Sequence, residues 1–136
     1  MSYATVNDLV KRFGELEIIQ LTDRDNLTGA VDKIRAAAAI RDAVNLIHGY
    51  LAKRYTVPLD PVPPLVTRWA CDLARWFLQP HDAPDQVKAN YERTLAELRD
   101  AAEGDLMLEG AEETPAWAGE VEIVGPGRVF GGLKGF

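Results

Sequence analysis

Apolar residues recur every three or four positions through most of the first hundred residues, which is the repeat of helices with one buried face. Thr5 precedes VNDLVKRF, and Asp8 three residues on completes a capping-box pattern, so a short helix is predicted there with Gly14 as its stop. ELEIIQLT places Leu16, Ile19 and either Ile18 or Leu21 on one side of a second short turn or helix, and TDRDNLTG then reads as a loop. The longest helix is predicted over residues 31–55, with Ala37, Ile40, Val44, Ile47, Leu51 and Tyr55 as its buried stripe and Val31, Ile34 and Ala38 beside it. Its many alanines leave room for a second helix to come close, and Gly49 is expected where a neighbouring backbone approaches.

VPLDPVPP forbids a helix and favours an extended connection, after which Pro63 or Pro64 can open the next one. That segment, PLVTRWACDLARWFLQ, carries Leu65, Val66, Trp69, Ala70, Leu73, Trp76 and Phe77 and is the most apolar of all, so it is expected to lie centrally and to end at Pro80. Asp82 is the expected cap of the last helix, with Pro84 in its first turn, Val87, Tyr91, Leu95 or Thr94, Leu98 and Ala102 as its buried stripe, and Gly104 as its end. The pattern therefore predicts an all-α domain over residues 1–104: a small bundle of three main helices with one or two short ones in front. No internal repeat is visible.

Beyond residue 104 the pattern changes. Residues 110–136 hold seven glycines, yet they also carry Trp117, Phe130 and Phe136. GEVEIV alternates polar and apolar residues, GPG is turn material, and RVF can pair back as a short β-hairpin. A lone two-stranded ribbon is marginal in water and needs a surface to lie on. Residues 105–136 are read as a C-terminal arm.

Charge sharpens this division. The 136 residues carry a net charge of −6. Residues 1–102 are close to balanced, whereas the stretch that follows holds Glu103, Asp105, Glu109, Glu112, Glu113, Glu120 and Glu122 against Arg128 and Lys134. A specific duplex-DNA reader would be expected to show a basic stripe instead. The one cysteine, Cys71, excludes an intrachain disulfide and a cysteine zinc cluster. Residues 1–13 lack the apolar core of a signal peptide and no run is long enough to span a membrane, so a soluble intracellular protein is expected.

Candidate chemistry is sparse. His48 lies beside the apolar face of the long helix and His81 in the PHDAP connection. Either could be paired with Cys71 as a nucleophilic site, but nothing near Cys71 marks a lowered pKa. Asp23 and Asp25 in TDRDN resemble the start of a calcium loop, but the positions where a glycine and a glutamate are needed hold Thr28 and Ile34. The structural reading has these aspartates capping backbone N–H groups and pairing with an arginine. GPGRVFGG lacks the lysine and the following helix of a phosphate loop. Trp69 and Trp76 read as core or interface anchors, with Arg68 and Arg75 as a possible basic row beside them. No catalytic set, metal or cofactor is expected.

YATVNDLVKRFGELEIIQLTDRD, IHGYLAKRYTVPL, VPPLVTRWACDLARWFL and VKANYERTLAELRDAAEGDLML occur in that order, and in this the chain resembles the Mu-like phage and prophage proteins grouped as domain of unknown function 1320. The RVFGGLKGF ending is also similar to tails of some members. The resemblance implies a virion component encoded among head-morphogenesis genes and similar in fold to the helical adaptors that join a portal to a tail, usually as rings of twelve copies. It implies synthesis in the host bacterial cytoplasm, residence in the virion, portal and tail-joining proteins as partners, and DNA passing without specific binding.

Independently, the arm suggests self-assembly. Trp117, Val121, Ile123, Arg128, Val129, Phe130, Leu133 and Phe136 are the expected interface residues. Burying each large apolar side chain contributes about 1.5–3 kcal/mol, against about 1–2 kcal/mol per residue for ordering the backbone, so a preformed groove on another subunit is needed. Two other classes stay open: a DNA-packaging or regulatory nucleic-acid-binding module using Lys53, Arg54, Arg68 and Arg75, and a small cysteine hydrolase using Cys71.

Overall fold

A computed structural model describes residues 2–25 and 27–113. Among these residues lie five helices and no strand: α1 (Val6–Phe13), α2 (Glu15–Thr22), α3 (Lys33–Leu51), α4 (Pro64–Leu78) and α5 (Asp85–Glu103). The all-α reading holds for them. The expected hairpin lies outside the described residues.

Local signals set most of the boundaries. Thr5 Oγ1 accepts the Asp8 N–H while Asp8 accepts the Thr5 N–H, a closed capping box. Gly14 ends α1 and begins α2 at φ +96°, a value that other residues rarely adopt. Asp32 caps α3 by accepting the N–H groups of Ile34 and Arg35, both at 3.1 Å, which starts that helix two residues later than predicted. It also ends earlier, at Leu51. Pro64 opens α4 as its first residue. Asp82 is not the cap of α5: it stands at φ +60°, and the helix starts at Asp85 behind Pro84 with no side-chain cap.

Helices α3, α4 and α5 pack against one another, and α1 and α2 lie against α3, with α1 also on α4. The buried face of α3 is Ala36, Ala39, Ile40, Ala43, Ile47 and Leu51. This is rotated from the predicted stripe, leaving Ala37 exposed and Ile34 84% exposed. In a run of four alanines the apolar period cannot choose which of them faces inward. Gly49 meets open space rather than a neighbouring backbone. On α5 the buried residues are Val87, Thr94, Leu98 and Ala101, so Thr94 takes the inward place over Leu95, and Ala101 takes it over Ala102.

Helix α4 is covered on nearly every side, with Val66, Trp69, Ala70, Cys71, Asp72, Leu73, Ala74 and Arg75 buried. A buried helix with polar side chains must satisfy them, and each of those here ties α4 to a different neighbour. Asp72, with no exposed side-chain surface, receives Nε and Nη2 of Arg12 on α1 at 2.8 and 3.2 Å. Arg75 donates through Nε to Glu17 on α2 at 2.6 Å and through Nη2 to Gln79 at 3.2 Å. Glu97 on α5 accepts from both Arg68 and the Trp69 indole. Trp76 stacks on Tyr91 of α5, ring centroids 4.4 Å apart.

Removing Asp72 leaves the partly buried Arg12 guanidinium without its carboxylate. Asp72→Ala is expected to lower unfolding stability by about 2 kcal/mol in urea titration, and Arg12→Met in the same chain to recover part of that loss.

Candidate interaction surface

The arm leaves the helical core through a built anchor. Gly104 ends α5 in the left-handed conformation, φ +89°, and the Asp100 carbonyl accepts the N–H groups of Asp105 and Leu106 at 2.8 and 3.2 Å. The chain then turns back on the core. Leu108 is buried and donates its N–H to the Tyr55 hydroxyl at 3.3 Å. Thr56 N–H donates to the Glu112 carbonyl at 2.8 Å, and Tyr55 and Glu113 form an antiparallel bridge. The Arg54 guanidinium lies over Gly104 and pairs with Glu113 at 2.9 Å. Residues 105–113 therefore pack on the core, and the chain continues from beside Tyr55. This pairing has little signature in the sequence, because a single bridge carries no alternation and Tyr55 reads as the end of a helix.

A second feature lies on α3. Ile34, Ala37, Arg41 and Val44 share one helical face, spaced by three and four residues. Between this face and the N-terminal segment is an open groove of about 500 Å³ lined mainly by Ala4, Val6, Ala37, Ile40 and Val44, with Ser2, Thr5 and Arg41 as its polar members. Arg41 is exposed and has no ion-pair partner among the described residues. Its neighbour Asp42 points to a different pocket, shared with Arg24 and Arg35.

The N-terminal wall of that groove is held by Tyr3. Its buried hydroxyl accepts the Leu59 N–H at 2.9 Å and lies 2.7 Å from His48 Nε2. With one lone pair occupied by that N–H, the hydroxyl proton is free to donate to Nε2 of a neutral imidazole. Burial holds the His48 pKa below its usual value of 6.5.

The other candidates fall as follows. Cys71 is buried, and burial pushes its thiol up to about 11, with the Asp8 charge adding to the rise; it is protonated at neutral pH. His48 is committed to Tyr3, and His81 is exposed. The TDRDN aspartates act as caps and partners. Asp23 accepts from the N–H groups of Thr28 and Gly29 at 3.0 and 2.7 Å, and the Thr28 bond leads in holding its pKa low. Asp25 pairs with Arg35. No cluster of three or more metal-binding side chains occurs among the described residues. Arg68 and Arg75 do not stand out as a row. Arg68 is paired with Glu97, and Arg75 is 3% exposed and paired with Glu17. With Arg54 on Glu113, Lys53 is the one member of the suggested DNA-binding set without a carboxylate partner among the described residues. Trp117, Val121, Ile123, Arg128, Val129, Phe130, Leu133 and Phe136 lie outside the described residues.

The described residues thus form an all-helical domain with an open apolar face on α3. The family model described as bacteriophage Mu, Gp36 matches residues 3–124. The chain belongs to this family of phage proteins. It is 36% identical over 104 residues to gene product J of Escherichia phage Mu, covering 76% of this chain and 74% of that one. It is 33% identical over 106 residues to Mu-like prophage FluMu protein gp36 of Haemophilus influenzae, covering 78% and 74%. No helix among the described residues is long and apolar enough to cross a membrane.

Two outcomes follow from this geometry. Gly104→Ala forces a Cβ into a positive-φ site, 2.6 Å from Arg54 Nη1, and is expected to cost about 1–2 kcal/mol in thermal unfolding while loosening the Arg54–Glu113 pair. For His48 the native pKa is the depressed one, so the unfolded chain takes up the proton first as pH falls. Its stabilising contribution is complete above the unfolded value of 6.5 and is lost as pH drops below that toward the native pKa. Melting temperature measured from pH 7.5 to 5 should fall, and His48→Asn should flatten that part of the curve.

Proposed function

We propose that this chain is a structural joining protein of a phage particle, a non-enzymatic helical adaptor that associates with copies of itself as a ring beneath the portal and links head to tail. The observation that carries this reading is the anchor at Tyr55. It fixes the point from which a glycine-rich segment of 23 residues continues, beside a core whose buried Asp72 and Arg75 are already paired with charges on other helices. Membership of the Mu Gp36 family supports the phage setting.

A head-to-tail contact repeated around an axis closes a ring, and many copies make a weak contact into a stable object. Portal and tail-joining proteins are the other proposed partners. The net negative charge suits a wall past which DNA slides without binding. The alternative of a nucleic-acid-binding module is disfavoured by the pairing of Arg54, Arg68 and Arg75 with carboxylates.

Deleting residues 114–136, just past the anchor, is the test. Circular dichroism should report unchanged helicity, while light scattering should show loss of oligomers and the particle assay loss of head–tail joining. Normal assembly by the truncated chain contradicts the reading, as does a salt-sensitive gel shift of duplex DNA by the full chain.

A further inference from the structure

Resting on the assembly reading above, we propose that the groove between the N-terminal segment and α3 receives residues 117–124 of a second copy of this chain. Val121 and Ile123 fill its apolar floor, and Glu120 and Glu122 lie at the rim beside Arg41.

Three observations point to this occupant. The first is chemical match. The groove offers an apolar floor from Val6, Ala37, Ile40 and Val44 with one unpaired cation at its edge. In GEVEIV the side chains alternate, so an extended strand laid in a groove puts Val121 and Ile123 on one side and the glutamates on the other. The long Arg41 side chain can lie along the strand and reach those carboxylates. At about 500 Å³ the groove falls within the range that bound side chains and small ligands fill. Exposed Ile34, on the same helical face, extends the apolar surface in line with it.

The second is reach. Glu113 is fixed beside Tyr55, beyond the C-terminal end of α3. Ala37 lies about 21 Å from Leu51 along the helix, at 1.5 Å per residue. The eight peptide units from Glu113 to Val121 span at most about 26–29 Å when fully extended. Within one chain the arm reaches the Ala37 end of its own groove with only about 5–8 Å to spare at full extension. A neighbouring copy can present its groove wherever the arm arrives.

The third is extent. The family model runs through Val124, so this stretch belongs to the family's domain, whereas residues 125–136 fall beyond the match.

The experiment is disulfide trapping between two full-length variants, Ala37→Cys and Val121→Cys. Native Cys71 is buried and does not compete. Mixed and oxidised, the two should give a cross-linked species at twice the 15.0 kDa chain mass, in greater yield than either variant oxidised alone. Arg41→Glu should raise the concentration at which oligomers dissociate by about tenfold, and Glu122→Arg in the same chain should restore it.

An Ala37→Cys/Val121→Cys double variant that closes only within one chain overturns the proposal in favour of an intrachain role. Oligomers that survive Arg41→Glu without cross-linking also overturn it, while leaving the assembly reading intact. Assembly that persists after deletion of residues 114–136 removes the assembly reading itself, and this proposal with it.

Discussion

Tyr55 stands just past the end of α3 with its ring buried. Its hydroxyl accepts the N–H of Leu108 and its backbone bridges to Glu113. This contact turns a helical core with a loose end into a core with a directed exit. A buried phenol hydroxyl needs a partner, and the one it takes comes from the segment that follows α5, more than fifty positions away in sequence. The left-handed turn at Gly104 makes the return possible, and Arg54 closes over that turn to meet Glu113. Four neighbouring features thus fix where the glycine-rich C-terminal segment continues from the core.

Helix α4 plays the matching role inside. It is buried on almost all sides, so its polar residues can persist only if each is tied to another helix. Asp72 reaches α1, Arg75 reaches α2, and Arg68 and Trp69 share Glu97 on α5. These pairings orient the short N-terminal helices, whose own apolar faces are small. They also explain why arginines on a helix are poor evidence for a partner surface. The carboxylates that neutralise Arg68 and Arg75 lie 29 and 58 residues away.

What the sequence discloses here follows from the range of the forces involved. Caps, stops and proline breaks depend on residues within four positions of each other, and the capping box at Thr5, Gly14, Pro64 and Gly104 were legible in advance. So were the central place of PLVTRWACDLARWFL and the capping role of the TDRDN aspartates. The buried face of α3 was legible only in part: Ile40, Ile47, Leu51 and Tyr55 are buried as read, but adjacent alanines are interchangeable by pattern and only the approach of neighbouring helices selects among them. The Asp82 cap failed because Pro84 already supplies an extended entry to α5. The groove beside Arg41 was hidden for the same reason as the Tyr55 anchor: both join segments distant in sequence. The phage family was legible from the order of four stretches, and the comparisons establish it at the level of the Mu Gp36 family.

The central claim is that the helical core is complete through Glu113 and that the residues after it find their partner on another molecule. Hydrogen–deuterium exchange of the full chain, dilute and assembled, tests this most directly. Amides of residues 105–113 should be protected in both states, and those of residues 117–124 only in the assembled one. Equal, strong protection of residues 117–124 in the dilute monomer would contradict the account.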